Sequence, residues 1–328
     1  MARWSGLKEE TLRKQYKFHL SGFPDWECKD HSEDYLVFPE NLGERISIDE
    51  TCLSDGELYT VVTNKAAQGK RGSLVALIKG TKASIVSEIL MRIPMKERIK
   101  VLEVTLDMSN AMDWIVRESF PNCSKVIDRF HVQRLVSGAL QEMRIRERWN
   151  VLEEENNAIE QCRRGNRVYS PFTYANGDSE KQLLARSRYL LFKPESKWTE
   201  SQKERADILF KEHPQLHEGY KLSMQFRSFY HHSKTKEEAK KKLEQWYEKV
   251  EEKGENTNEG QKGKAFSSFL TAMHSIKAHE GTILNYFPQR ATNASAESFN
   301  AKIKGFRALV RGVTDRKFFL FRIAKIYG

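Results

Sequence analysis

The sequence has few cysteines, and their spacing excludes the commonest structural metal sites. The four cysteines, at positions 28, 52, 123 and 162, are widely separated, and no Cys-x-x-Cys pair is present. This pattern argues against a zinc ribbon. The N-terminal residues do not resemble a secretory signal, and no apolar run reaches the length of a membrane span. We therefore expect a protein of the reducing cytoplasm with no membrane partner.

The chain has fewer acidic than basic residues. There are 55 Lys and Arg residues against 45 Asp and Glu, which gives a net charge of +10 and favours a polyanionic partner. The excess is concentrated near the C-terminus, where residues 290–328 hold nine basic and two acidic residues, a net +7. With 328 residues, 39% of them apolar, the chain suits one large domain with an insertion, or two domains.

Short apolar runs predict five strands in the first part of the chain. They cover residues 45–50, 57–63, 72–78, 100–106 and 125–127. Short turns join the first three strands, which favours an antiparallel meander. Helical spacing over residues 82–92 precedes the fourth strand, and a helix that Ser109 could cap and Pro121 would end precedes the fifth. This alternation favours parallel pairing. The predicted fold is α/β: a ribonuclease H-like mixed sheet of three antiparallel and two parallel strands, with a large all-α insertion.

The insertion is predicted from residues that carry little strand signal and are rich in helix formers. We divide the chain into a partly helical lead-in (1–43), the first part of the core (44–135), the helical insertion (136–285) and basic C-terminal helices that complete the core (286–328). Most aromatic side chains of the insertion are expected in its core. Trp246 is our candidate for stacking on an unpaired base.

Three acids occupy positions that suit a metal-dependent nuclease. Asp49 and Asp107 each end an apolar, strand-like run, and Glu297 lies near the start of a predicted basic helix. The first and fourth strands of a ribonuclease H-like sheet are neighbours, so the two aspartates would meet and a packed helix could add Glu297. Such hard oxygen ligands suit two Mg²⁺ ions, with Mn²⁺ as a substitute. Glu50 is an equal alternative to Asp49, and acids after apolar runs also serve as turn or cap residues.

A second pair of polar residues follows the fifth predicted strand. Asp128 and His131 are three positions apart at a strand-to-helix junction, where their side chains can touch. A capping aspartate beside a packed histidine explains the same residues equally well.

The helix predicted from Asn293 onward has two distinct faces. Its apolar face comprises Ala296, Phe299, Ile303, Phe306 and Val310. Asn293, Glu297, Asn300 and Lys304 recur at helical spacing on a different face. We expect basic residues of this segment to hold DNA phosphates near Glu297; they are Lys302, Lys304, Arg307 and Arg311.

Several segments together resemble bacterial insertion-sequence transposases of the ISL3 family, within the DDE group. They are Ile48-Asp49-Glu50, residues 104–109, Phe120-Pro121-Asn122, residues 126–132, residues 292–304 and Arg311-Gly312. The Asp-Arg-Phe-His element at 128–131 and the Asn-Ala-x-x-Glu-x-x-Asn-x-x-Ile-Lys element at 293–304 are the most specific. The similar segments span nearly the whole chain from residue 46.

This resemblance implies a function and a site. It implies Asp49, Asp107 and Glu297 as the catalytic and metal-binding triad, with Asp128 and His131 as supporting residues. It also implies cleavage of double-stranded DNA at element ends, joining to target DNA, and a homo-oligomer on that DNA. The resemblance also favours Trp246 as a DNA contact, because insertions of such enzymes can carry a DNA-contacting tryptophan. The expected location is the bacterial cytoplasm, with nucleoid association when DNA is bound.

The chain departs from the family pattern at its N-terminus. Residues 1–43 show neither a Cys/His zinc-binding segment nor a helix-turn-helix that would recognise element ends. Two interpretations follow: a split or truncated product, or end recognition by a separate zinc/helix-turn-helix protein. Two other functions also stay open, a ribonuclease H-like nuclease without joining activity and a non-catalytic DNA-binding derivative of a transposase.

Overall fold

The chain forms two compact units. The structure, a computed structural model, describes residue 6 and residues 8–53, 56–255, 265–310 and 313–328. The first unit combines Met1–Asp128 with Arg290–Gly328, and the second is Arg129–Gln289. The second unit is therefore inserted in the sequence of the first.

A six-stranded mixed sheet lies at the centre of the first unit. Its strands are β1 (Tyr35–Val37), β2 (Arg45–Cys52), β3 (Leu58–Asn64), β4 (Leu74–Lys79), β5 (Glu103–Leu106) and β6 (Ser124–Ile127). Their order is β1-β4-β3-β2-β5-β6. The first four pair antiparallel, whereas β2, β5 and β6 pair parallel. This is a ribonuclease H-like arrangement, and it confirms the predicted mixed sheet.

The edge strand β1 lies within the segment predicted as a lead-in. It has only three residues, and its central residue Leu36 is fully buried. Tyr35 pairs with Ile78 and Val37 with Ala76, so β1 covers the outer edge of β4. Three residues are too few for a periodic signal in the sequence. The sheet therefore has one strand more than the five predicted.

Helices account for most of the remaining described residues. In chain order they are α1 (Glu9–Gln15, continued by a π-helical turn at Tyr16–Leu20), α2 (Ala83–Leu90), α3 (Met95–Arg98), α4 (Asn110–Ser119), α5 (Arg129–Arg164), α6 (Glu180–Arg186), α7 (Glu200–Glu212), α8 (Pro214–His232), α9 (Lys236–Glu255), α10 (Ser267–Ala278), α11 (Glu280–Leu284), α12 (Tyr286–Gln289), α13 (Ala294–Leu309) and α14 (Arg316–Tyr327). Short 3-10 turns occur at Pro39–Asn41, Lys65–Ala67, Leu190–Phe192 and Glu195–Lys197.

One face of the sheet is covered by α2 and α4 and is apolar. Ile48 of β2 and Val104 of β5 are fully buried there, together with Val86 of α2 and Ile115 of α4. Each such side chain stabilises the fold by roughly 1.5–3 kcal/mol through removal from water. This core holds the strands in register.

The opposite face is covered by the two helices that follow the insertion. Phe299 and Ile303 of α13 and Leu320 of α14 pack on Val61 of β3 and Leu77 of β4. This apolar contact lies over β3 and β4. It fixes α13 on the sheet, so the polar side of the same helix is held beside β2.

The second unit is helical throughout its described residues, apart from turns and one isolated bridge. Its longest helix, α5, has 36 residues and packs against α6, α8 and α10. Arg144 is buried in this packing, and its guanidinium donates to the carbonyl oxygen of Leu184 at 2.9 Å. None of the helices in the described part of the chain has the length and apolar composition needed to cross a bilayer.

Candidate active site

Asp49 lies inside β2, three residues before the strand ends. The sequence places it at the end of a strand, but β3 pairs with β2 through Cys52 and so extends it. Asp49 is half-buried and is paired across the ladder with Val61. Its Oδ1 accepts a hydrogen bond from the backbone N–H of Glu50 at 2.8 Å. The carboxylate therefore has a defined orientation on the face that α13 covers.

Asp107 follows the last residue of β5, next to Asp49. The parallel pairing of β2 with β5 sets Ser47 opposite Thr105. Two residues further along the same register, Asp49 faces Asp107. Adjacent strands are about 4.8 Å apart, and residues in register point to the same face. Continued in this way, the register sets the two acids side by side on one face of the sheet, while their shared role in catalysis stays a prediction.

Asp128 extends the row by one strand. Leu106 pairs with Ile127, and the backbone N–H of Asp128 donates to the carbonyl oxygen of Leu106 at 3.0 Å. Asp128 thus stands one position beyond the ladder, level with Asp107. Three neighbouring parallel strands therefore present a row of three aspartates, with Asp49 inside β2 and Asp107 and Asp128 just after the ends of β5 and β6. Asp128 is almost fully buried.

The helix α13 brings Glu297 to this row. Asn300 donates from Nδ2 to Asp49 Oδ2 at 2.7 Å, and the backbone N–H of Asn293 donates to Asp128 Oδ1 at 3.3 Å. Glu297 lies between these two contacts along the helix and is exposed. A carboxylate oxygen of Glu297 lies within 4.8 Å of one from Asp128.

Among the described residues, Asp49, Asp107 and Glu297 do not form one group with oxygen atoms within 4.8 Å of one another. Their role as a triad stays a prediction. The acid close to Glu297 is instead Asp128, to which the sequence assigns a supporting role. The structure therefore places Asp128 close to Glu297, a proximity that the sequence alone does not indicate.

The pKa of Glu50, the alternative to Asp49, is affected by the same cluster of acids. Partial burial raises the pKa of its carboxyl group, and the negative charge of Asp107 raises it further. Carboxylates this close together repel one another unless a proton or a cation lies between them. Their oxygens are the hard ligands that Mg²⁺ and Mn²⁺ prefer. The donor set therefore fits divalent cations.

Two of the predicted DNA-contacting side chains are held by backbone carbonyls. Lys302 Nζ donates to the Gly69 oxygen at 2.7 Å, and Arg307 Nη1 donates to the Leu53 oxygen at 2.6 Å. Lys304 is exposed, and its seven-residue separation from Glu297 puts both on one side of α13. The fourth predicted contact, Arg311, lies outside the described residues.

Trp246 does not occupy the position expected of a base-stacking residue. It is 1% exposed in α9, its indole N–H donates to the Leu222 oxygen at 3.0 Å, and its ring packs 4.9 Å from that of Phe226. The apolar side of the amphipathic helix α9 faces the core of the helical unit, and Trp246 lies on that side. A base could not reach it without unpacking that core, so the structure corrects this expectation.

His131 lies in the first turn of α5, three residues after Asp128, and is half-buried. α5 begins the second unit, so the chain passes from the aspartate row directly into the insertion at this point. A supporting role for His131 remains a prediction.

The comparison with protein families identifies the chain. A family model for ISL3 transposases of the DDE group, described as a transposase, matches residues 46–323. The chain belongs to the ISL3 transposase family. The match includes every strand of the sheet except β1, the whole insertion and most of α14. Neither a curated protein nor a solved structure matches the chain.

Membership of the ISL3 family makes DNA the polyanionic partner that the basic composition favours. The sequence places Asn293, Glu297 and Asn300 on one side of a helix but gives neither asparagine a role at the site. In this ISL3 family member both asparagines contact the aspartate row. Their helical spacing with Glu297 was the signal that could have identified them.

Proposed function

We propose that this chain is the catalytic domain of a DNA transposase, which cleaves DNA at insertion-sequence ends and joins the 3′-hydroxyl to target DNA. The observation that carries the proposal is the row of Asp49, Asp107 and Asp128 on three adjacent parallel strands, with Glu297 above it on α13. Membership of the ISL3 family supports the same chemistry.

The positions of the four acids support the following proposed roles. Asp49, Asp107 and Glu297 hold two divalent ions, and Asp128 supports Glu297 from within 4.8 Å. When bound, a pair of Mg²⁺ ions activates a water or a 3′-hydroxyl and stabilises the leaving oxygen. The strands hold the aspartates rigidly, whereas Glu297 depends on the packing of α13. The apolar contact of α13 with β3 and β4 thus positions the last ligand.

Basic residues of α13 are proposed to hold the DNA backbone. Lys304 is the principal contact, because it is exposed on the Glu297 side of the helix. Lys302 and Arg307 each keep further N–H donors beyond the one directed at a backbone carbonyl. Phosphate contacts give affinity and register but little sequence choice. Recognition of specific element ends therefore needs contacts beyond these.

Joining two element ends to one target requires two such sites. We accordingly propose that the chain acts as a homo-oligomer on DNA. Its double-stranded partners are the element ends and the target.

A joining assay tests the proposed function. The full chain is incubated with Mg²⁺, a supercoiled target plasmid and pre-cut ends taken from the DNA that flanks its gene. We expect joined products with the wild-type chain, and neither cleavage nor joining with Asp107→Asn, which should still bind DNA. The matched control is Asp207→Asn, the same change at an exposed position of α7, which should behave as wild type.

Three outcomes would contradict the proposal. Nicks without joined products would indicate a nuclease, and DNA binding without any cleavage would indicate a non-catalytic derivative. Full activity in Asp107→Asn would remove the assignment of the aspartate row.

A further inference from the structure

Two asparagine side chains on α13 are buried beside the aspartate row with hydrogen-bonding atoms unused. Asn293 is 0% exposed, and neither its Oδ1 nor its Nδ2 has a partner among the described residues. Asn300 is 6% exposed; its Nδ2 donates to Asp49, but its Oδ1 has no partner in the same part of the structure. A buried amide without a partner is destabilising, so its presence calls for a ligand that completes it.

The two amides stand at opposite ends of the row. Seven residues of α-helix separate them, which is two turns or about 10.5 Å. β2 and β6 are two strand spacings apart, about 9.5 Å. Asn300 contacts Asp49 in β2, and the backbone of Asn293 contacts Asp128 at the end of β6. The helix therefore crosses the row, with one asparagine at each end and Glu297 between them.

A purely structural role does not account for these side chains. Asn293 is the residue before the first turn of α13, yet its side chain makes no capping hydrogen bond. Asn64, in the same unit, shows what a structural asparagine does here. Its Nδ2 donates to the Asn41 oxygen at 2.9 Å, and its Oδ1 accepts from the Ala66 N–H at 3.0 Å. Both amide atoms of Asn64 are therefore used within the fold.

We propose that Asn293 and Asn300 are positioning residues for cation binding, whose side-chain oxygens accept hydrogen bonds from water molecules of the bound ions. Mg²⁺ retains several waters when proteins bind it, so acceptors beside the carboxylates are needed to hold that shell. Asn300 has a second task, because its Nδ2 orients Asp49. This inference rests on the proposed function, since it requires that the aspartate row binds divalent cations.

The test measures cation binding by the full chain in the absence of DNA. Mn²⁺ alone is the probe, with free Mn²⁺ measured by electron paramagnetic resonance and the thermal unfolding midpoint followed in parallel. We expect Asn293→Leu and Asn300→Leu to raise the half-saturating Mn²⁺ concentration about 10-fold or more, as loss of residues that support a metal site does. Without Mn²⁺, Asn293→Leu should unfold at the wild-type temperature or above, because it removes two unpaired buried atoms.

Asn64→Leu is the matched control. It should lower the unfolding temperature without Mn²⁺, since it breaks two hydrogen bonds, and leave the half-saturating concentration unchanged. If Asn300→Leu does not fold, Asn300→Ser replaces it. The inference is overturned if the Asn293 and Asn300 variants bind Mn²⁺ like wild type, or if Asn293→Leu is destabilised as much as the control.

A comparison with Asp107→Asn separates this inference from the proposed function. If Asp107→Asn weakens Mn²⁺ binding while the asparagine variants do not, only the inference fails. If Asp107→Asn also binds Mn²⁺ like wild type, the cation site itself is wrong and both fail.

Discussion

The two faces of the sheet are built from alternate residues of the same strands, yet only one of them carries the acids. The face beneath α2 and α4 is apolar, whereas the face beneath α13 and α14 combines an apolar contact over β3 and β4 with the row of acids. On β2, Ile48 packs toward α2 and α4, whereas its neighbour Asp49 lies beneath α13. At the end of β5, Leu106 and Asp107 divide in the same way. Because side chains alternate with a period of two, a slip of one residue would exchange the faces. The apolar face thus sets the register on which the acids depend.

The largest expected effect is on the polar face. Glu297→Gln keeps the size of the side chain but removes the charge that a divalent ion requires. We expect DNA cleavage to fall roughly 10³-fold, which corresponds to about 4 kcal/mol of transition-state stabilisation. Single-turnover cleavage in Mg²⁺ provides the measurement.

Glu297→Gln should leave the stability of the folded state almost unchanged. Glu297 is exposed, so the free energy of unfolding should stay within about 0.5 kcal/mol of wild type. If Glu297→Gln retains cleavage, Glu297 is not a metal ligand. The assignment also fails if the loss of activity is fully explained by unfolding of the variant.

The apolar face should show the opposite behaviour. Ile115→Ala in α4 removes a fully buried side chain from the core between α4 and the sheet. We expect a loss of about 3 kcal/mol in the free energy of unfolding, measured by urea denaturation. Cleavage per folded molecule should not change. The control is Ile99→Ala at an exposed position, which should cost no more than about 0.5 kcal/mol.

This prediction would be contradicted if Ile115→Ala lowered the cleavage rate per folded molecule as well as the free energy of unfolding. The division between a stabilising face and a chemical face would then not hold.

The smallest expected effect distinguishes two lysines of α13. Lys304 is exposed on the Glu297 side, whereas Lys302 is about 140° around the helix and donates to the Gly69 oxygen. Lys304→Ala should reduce the slope of log affinity against log salt concentration by about 1. Lys302→Ala should change it less. Fluorescence anisotropy with a DNA duplex over a salt series measures both.

Equal slopes for the two lysine variants would mean that the hydrogen bond to Gly69 does not keep Lys302 from DNA. A larger change in Lys302→Ala would move the DNA path to the other side of α13.

The sequence was most informative where a local pattern decides the structure. The apolar run before Asp107 was sufficient to predict β5, and Ser109 with Pro121 was sufficient to predict the extent of α4. The apolar side of α13 was likewise evident, because Phe299 and Ile303 recur at helical spacing and are indeed buried. These features depend on periodicity, which a single sequence displays.

Features that depend on distant contacts were not evident. β2 continues past Asp49 to Cys52 because β3 pairs with it. The residues next to Asp49 in the sequence do not predict that pairing. Trp246 is buried because α9 packs with its neighbours in the helical unit, a relation that its own sequence does not specify. The proximity of Asp128 to Glu297 joins residues far apart along the chain. Such relations arise from tertiary packing, which only the folded structure defines.

The insertion of one unit within the other has a consequence for how the protein is made. Translation delivers β2, β5 and β6 with their aspartates first, then all of residues 129–289, and only then α13 with Glu297. On the proposed site, a copy still attached to the ribosome lacks one carboxylate and the helix that crosses the row. On the proposed function, each copy therefore becomes able to cut DNA only after the whole insertion and α13 have been made, and a premature stop in the insertion yields an inert fragment.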